Sequence, residues 1–185
     1  MQKGLWYRTM GSILTSEVKL EPKNIKLDAI YRKILAIIQK RSNITNQELA
    51  ELVGLSPAAC SQRTNALKEA GYLIGFHAEI DLKRVCEHVL AYVEFTLKNN
   101  DPVSRERFSD AIQDIPEFMD CLRLSGDVDF ISFTCCSDIS ELNKLCDQLA
   151  SDTTLSIARI NPRIIIDRAK WYFGYPISKL KWLES

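Results

Sequence analysis

Apolar residues recur three and four apart through residues 27–70. Leu27, Ile30, Ile34, Leu35, Ile37 and Ile38 line one face of a helix that the spacing carries to about Lys40. Arg41-Ser42-Asn43 breaks that period, and Thr45 opens the next helix with Glu48 three residues on. The pair reads as a capping box, in which the hydroxyl accepts an early amide and the carboxylate returns the bond. Leu49, Leu52 and Val53 form the apolar side of this second helix, and Gly54 can take the positive φ that follows a helix end. Ser56 then caps a third helix with Pro57 in its first turn, where a missing amide costs nothing. Cys60, Thr64 and Leu67 share the inward face up to about Ala70, and Gly71 ends it. Beyond this point the period changes to two. Ile74, Phe76, Ala78 and Ile80 alternate with Gly75, His77, Glu79 and Asp81, which predicts a strand or hairpin with one buried face.

The second half has a different rhythm. Residues 89–97 form an apolar strand. Asp101 caps and Pro102 starts a helix with a stripe of Phe108, Ala111, Ile112 and Ile115, which Pro116 stops. Residues 118–125 and 129–135 read as two strands about the turn Gly126-Asp127-Val128. A helix aligning Leu142, Leu145, Cys146 and Leu149 follows, then a last strand over 156–166. The order β-α-β-β-α-β is the ferredoxin-like unit, an antiparallel sheet with both helices on one face. Leu90, Ala91, Tyr92 and Val93 run together without a charge and so offer apolar groups to both faces. That pattern predicts a second sheet, from another subunit, over the open face.

The predicted organisation is therefore α+β. A tail (1–26) precedes an N-terminal helix-turn-helix domain (27–75), a linker strand (76–86), a ferredoxin-like domain (87–168) whose open sheet face suits oligomerisation and an aromatic C-terminal tail (169–185). Trp171, Tyr172, Phe173, Tyr175 and Trp182 suit docking onto the chain's own fold or a neighbour better than a ligand cage.

Composition narrows the function. With 185 residues, 46% apolar and 26% charged, the chain is neither disordered nor collagenous. No apolar run reaches the roughly 18 residues of a membrane span. Trp6, Tyr7 and Arg8 interrupt the place of a signal sequence, so a cytoplasmic protein is expected, with no membrane partner. The six cysteines include no C-x-x-C pair and read as reduced, buried side chains. No metal and no cofactor is expected, and His77 reads as a surface imidazole. The net charge of zero hides an asymmetry: residues 1–86 hold 13 cations against 8 acids, residues 87–185 hold 11 against 16. A DNA-contacting head on an acidic body has this distribution.

The third helix would present a short, polar outer face, where small residues let a backbone approach base edges and Gln or Asn can pair with adenine. Thr45, Ser56, Pro57, Ala58, Ser61, Gln62, Arg63 and Asn65 form the candidate DNA-contacting set. Arg63, at the edge of the buried face, suits either a phosphate clamp or a structural ion pair.

Several segments match a known pattern: Leu27-Asp28, Ile34-Leu35, Gln39, Ile44-Thr45, Glu48-Leu49-Ala50, Val53 to Pro57, Cys60, Arg63, Leu67 and Gly71 to Gly75. In the second half Pro116-Glu117, Cys121 and Ser125-Gly126-Asp127-Val128-Asp129-Phe130 match again. Over residues 27–168 the chain resembles the Lrp/AsnC (leucine-responsive regulatory protein) family. The resemblance implies a winged helix-turn-helix domain, double-stranded DNA as partner, and self-association as dimers, which in the family often assemble into octamers; the sequence does not decide between dimer and octamer. It also implies an amino acid or related metabolite as effector, near Ser125, Gly126, Asp127 and Asp129. Two departures stand out. Tyr31 occupies the place of a second acidic residue common in the family's opening helix, and Thr64, Asn65 and Ala66 follow Arg63 where basic residues are frequent. The sequence leaves two rivals: an enzyme like the sirohaem decarboxylases, which share a related architecture, and a metabolite-binding assembly protein without specific DNA binding.

Overall fold

The computed structural model describes residues 25–183, so the expected N-terminal tail lies outside the described residues apart from Ile25 and Lys26. These residues divide into two units, one of residues 25–79 with 170–183, the other of residues 80–169.

In the first unit the helices are α1 (Ala29–Ile38), α2 (Asn46–Val53) and α3 (Pro57–Glu69). Each starts at a residue whose side chain takes an orphan amide. Asp28 accepts from the Tyr31 N–H at 2.9 Å, Thr45 from Glu48 at 3.2 Å, and Ser56 from Ala59 at 3.3 Å. The Thr45–Glu48 capping box is complete, and Gly54 closes α2 at φ 75°. Ile34, Ile38, Leu49, Ala50, Val53, Cys60 and Leu67 make the core, and Leu73 closes it from below. Burial of these side chains, each contributing on the order of 1.5–3 kcal/mol for the larger ones, outweighs the weak intrinsic tendency of an eight-residue helix such as α2.

One expectation fails here. Residues 75–81 lie outside any strand, and a short 3-10 turn follows at Leu82–Arg84. Ile74, Phe76 and Ile80 are all exposed rather than packed on one buried face. A lone extended segment has no ladder partner, and period-two spacing reports an apolar side without supplying the surface that covers it.

The second unit runs β1 (Val89–Leu97), α4 (Pro102–Gln113), β2 (Leu122–Arg123), β3 (Phe130–Cys136), α5 (Ile139–Ser151) and β4 (Ile157–Ile164). The sheet order is β2-β3-β1-β4, antiparallel throughout, as the ferredoxin-like order requires. Val93 pairs with Ser132 on one side and Pro162 on the other. Pro162 is tolerated because β4 is an edge strand. Ala91, Val93, Phe95 and Leu97 face the two helices, and their core continues through Phe108, Ile112, Phe130, Leu142, Leu145 and Leu149. Phe108 lies 5.0 Å from Phe95 and 4.7 Å from Phe130, ring centre to ring centre.

The strand expected over 118–125 contracts to two residues. Asp120 explains the gap: its Oδ1 accepts the Phe133 N–H at 2.8 Å, and its carbonyl accepts the Ser132 hydroxyl at 2.5 Å. A side chain thus replaces a ladder carbonyl, and Phe118 rejoins β3 only as an isolated bridge to Thr134.

The sheet's other face is open in this unit. Tyr92 stacks on Phe133 with centroids 5.2 Å apart and is 44% exposed. Glu94 lies between Arg163 Nε at 2.6 Å and Asn161 Nδ2 at 2.8 Å. The Arg163 hydrogen bond, followed by that of Asn161, holds the Glu94 carboxyl below its ordinary range.

All six cysteines are free thiols, but only Cys60 and Cys136 are buried. Cys86 is exposed, contrary to expectation, because it sits in the connector after the 3-10 turn, outside both cores. Burial pushes the Cys121 and Cys136 thiols up to about 11, so both stay protonated at neutral pH. His77 is exposed, as expected.

Candidate nucleic-acid interface and effector turn

The helix-turn-helix pair is fixed at its open end by a contact that periodicity does not announce. Asn46, first residue of α2, donates from Nδ2 to the Pro57 carbonyl at 2.8 Å and ties the starts of α2 and α3 together. The amides of both first turns stay near one another, where the helix dipoles favour anions. Thr45, Ser56, Pro57 and Ala58 are exposed around these two N-termini. Gln62 and Asn65 are exposed further along α3, and Ser61 is half-buried. Apart from Arg63, the candidates are therefore accessible around the starts of α2 and α3 and along α3, with Thr45 and Ser56 already committed as caps.

Arg63 resolves differently from its neighbours. Its Nη1 donates to Asp28 Oδ2 at 2.7 Å, and its guanidinium carbon sits 4.5 Å from the centre of the Tyr31 ring. Of the two roles left open, the structure shows the ion pair, which ties α3 to the start of α1. Tyr31 takes up the guanidinium face where an acidic residue would have offered a second salt bridge. The Tyr31 N–H, and then Arg63, hold the Asp28 carboxyl below its usual range.

The effector candidates occupy the turn between β2 and β3. Gly126 has φ 109°, a conformation that a side chain would strain. Ser125 and Asp127 are exposed, and the Asp127 carbonyl accepts the Thr96 hydroxyl at 3.3 Å. Asp129 behaves otherwise. It is 7% exposed, its Oδ2 accepts the Leu97 N–H at 2.7 Å, and its Oδ1 accepts the Asn100 amide. With both oxygens engaged, Asp129 pins the turn to the end of β1, while Asp127 holds the outward carboxylate. At the base of the turn a cavity of about 280 Å³ is lined by Arg105, Glu106, Ile112, Cys121, Arg123 and Phe130, among others. Its lining combines apolar side chains with two arginines and a carboxylate, a combination that the sequence did not announce because its parts come from α4, β2 and β3 and their approaches.

The sequence bears out these two parts by comparison. The model described as winged helix-turn-helix DNA-binding matches residues 27–74, and that described as the Lrp/AsnC ligand binding domain matches residues 90–171. The leucine-responsive regulatory protein of Haemophilus influenzae is 38% identical over 128 residues, which cover 69% of this chain and 77% of the relative. That of Escherichia coli K12 is 35% identical over 135 residues, 73% of this chain and 80% of the relative. Among solved structures, a transcriptional regulator from Neisseria meningitidis in complex with L-Met superposes with a TM-score of 0.73 at 25% identity, covering 82% of this chain and 97% of the other. An AsnC family regulator from Agrobacterium tumefaciens gives 0.72 at 25% identity, covering 83% and 99%.

Proposed function

This chain belongs to the Lrp/AsnC family of amino-acid-responsive, DNA-binding transcriptional regulators, and from that premise we propose a sequence-specific regulator whose assembly or DNA affinity changes when an amino acid binds near the turn 125–129. The observation that carries the proposal is the pairing of two features in one chain. Capped N-termini of α2 and α3 are tied by Asn46, and a turn pinned by Asp129 leaves Asp127 exposed between β2 and β3, two strands that also help line a mixed-charge cavity. The small, polar start of α3 suits a major groove, with Gln62 and Asn65 as base-reading side chains and the Ala58 N–H as a phosphate contact, in a first turn where Pro57 has no N–H and Ala59 donates to Ser56.

A free amino acid needs one partner for each of its charges. Asp127 suits the ammonium, and Arg123 or the turn amides of Ser125 and Gly126 suit the carboxylate. The L-Met bound by the Neisseria meningitidis protein is of this chemical class. The chain self-associates through the open sheet face around Tyr92 and Phe133, giving dimers with paired heads, and dimers assemble further into octamers. Paired recognition helices would then read half-sites about 34 Å apart. Effector binding shifts the equilibrium through different affinity for two assembly states. The protein works in the cytoplasm, where both ligands are found.

Selection of random duplexes by the full chain, repeated with each amino acid added in turn, tests the proposal. Enrichment of one pseudo-palindrome, weakened or strengthened by particular amino acids, is the expected result. Enrichment of no sequence under any condition would leave only the metabolite-binding assembly protein.

A further inference from the structure

The C-terminal segment folds onto the helix-turn-helix unit rather than the sheet that precedes it in the chain. The anchor is specific. Gln39, at the end of α1, donates from Nε2 to the Tyr175 carbonyl at 2.9 Å and accepts the Tyr175 N–H at Oε1 at 2.8 Å. One glutamine side chain thus satisfies both backbone groups of one residue, as a neighbouring strand would. Seven residues earlier on the same helical face, Arg32 lies 5.0 Å from the centre of the Trp182 ring. The segment therefore runs antiparallel along α1 between two fastenings, through the 3-10 turn Ile177–Lys179. Gly174 fits closely at the first of these: it has φ 86°, and a Cβ there would meet the Gln39 side chain at 2.9 Å.

The charge of this strap is one-sided. Residues 170–183 carry Lys170, Lys179 and Lys181 and no acidic residue. All three lysines are exposed, and among the described residues none is in an ion pair. The unit that receives the strap needs them. Residues 25–79 hold seven cations against five acids, a net of +2, and docking of the strap raises this to +5. On α3, meanwhile, Arg63 is committed to Asp28 and Lys68 lies over Phe76. Lys33 follows Arg32 on α1 and Lys40 follows Gln39 just past its end, next in sequence to the two fastenings of the strap, and both are exposed. The Gln39 anchor is also only six residues from Thr45, whose helix start belongs to the candidate DNA-facing side.

We propose that the strap is a second phosphate-binding element of the head, presenting Lys179 and Lys181 beside Lys33 and Lys40 to the backbone of the duplex that α3 reads. This rests on the DNA-binding reading above and assigns part of its affinity to a segment remote in sequence from the helix-turn-helix. Charges held by a docked strap lose little further freedom on binding, so they act as a fixed surface rather than a loose tail.

The test uses the full chain and a labelled mixed-sequence duplex of roughly 60 base pairs, titrated across a salt series, since each phosphate contact adds about 0.9 to the slope of log affinity against log salt. K179Q/K181Q should lower that slope by about 2 per head, so that the wild type loses roughly tenfold more affinity than the variant between 50 and 200 mM salt. Gly174→Val, which leaves every charge in place but crowds Gln39, should flatten the slope in the same direction. K98Q/K144Q, on the other unit, should leave it unchanged. An unaltered slope in K179Q/K181Q, or an equal loss in K98Q/K144Q, overturns the proposal while the protein remains a DNA binder. Failure of the wild type to bind any duplex at low salt overturns the DNA-binding reading itself.

Discussion

The two units of this chain solve opposite problems with the same tools. The helical unit encloses its core, ties its helix starts with Asp28, Thr45, Ser56 and Asn46, and carries ten cations against five acids. The sheet unit, residues 80–169, carries ten cations against sixteen acids and leaves Tyr92 and Ile164 exposed, with Phe133 half-buried beside Tyr92. One unit is basic and attractive to a polyanion; the other is acidic and leaves an apolar sheet face open. The zero net charge of the whole chain conceals both properties. Charge counted by half-sequence also understates the separation, because three lysines from the last sixteen residues belong to the head.

The strongest way to break this comparison is to unfold one unit and watch the other. Phe108 is fully buried between Phe95 and Phe130, and Phe108→Ala should cost the sheet unit about 3–5 kcal/mol. Trp171 and Trp182 both belong to the helical unit, so in a Trp6→Phe background tryptophan fluorescence follows the head while far-ultraviolet circular dichroism follows both. In urea the variant should show an early dichroism transition with the fluorescence midpoint nearly unmoved. If the two midpoints fall together by the same amount, the units unfold as one body and the contrast drawn here is superficial.

A smaller effect sharpens the division of labour inside the turn. Asp129→Ala removes the acceptor of the buried Leu97 N–H and of the Asn100 amide, for an expected loss of about 1–3 kcal/mol in the early dichroism transition. Asp127→Ala removes only an exposed carboxylate and should leave that transition in place while weakening the thermal shift produced by the effective amino acid. Equal destabilisation by both variants would mean that Asp127 also holds the turn together.

These contrasts were legible in the sequence to different depths. Thr45 with Glu48, Ser56 with Pro57 and Asp101 with Pro102 named their helix starts correctly, because capping is a contact over three residues and so is written locally. The boundaries of β1 followed from an apolar run wanted on both faces. The extent of β2 did not, since Asp120 replaces a backbone group with a side chain of the same hydrogen-bonding capacity, and alternation cannot report that. The stretch through Ile74, Phe76 and Ile80 has the period of a strand, but among the described residues no strand pairs with it and its apolar side chains are exposed. Asp129 and Asp127 look alike in sequence and differ only in whether the end of β1 is within reach. The strap was the least visible: Gln39 and Tyr175 stand 136 residues apart, and an aromatic-rich tail carries no period that says which unit receives it.

The smallest expected effect tests how the head joins α1 to α3. The Tyr31 N–H, then Arg63, lower the Asp28 pKa on folding. A carboxyl depressed in this way adds stability that is fully present above its unfolded value of about 4 and is lost as pH falls through the folded value. Asp28→Asn keeps the capping oxygen but removes the charge, so it removes the Arg63 ion pair together with the charged part of the Tyr31 N–H bond. Because the Asp28 side chain is 45% exposed, solvent screening limits the two together to under about 1 kcal/mol. Fluorescence-monitored urea unfolding should therefore show a small deficit in the variant that is constant from about pH 7 to 5 and closes below about pH 4. Added salt should shrink the same deficit at neutral pH. A deficit that persists unchanged in acid would show that the variant suffers through its cap or its packing, and that Tyr31, rather than the Asp28 charge, is what holds Arg63 against α1.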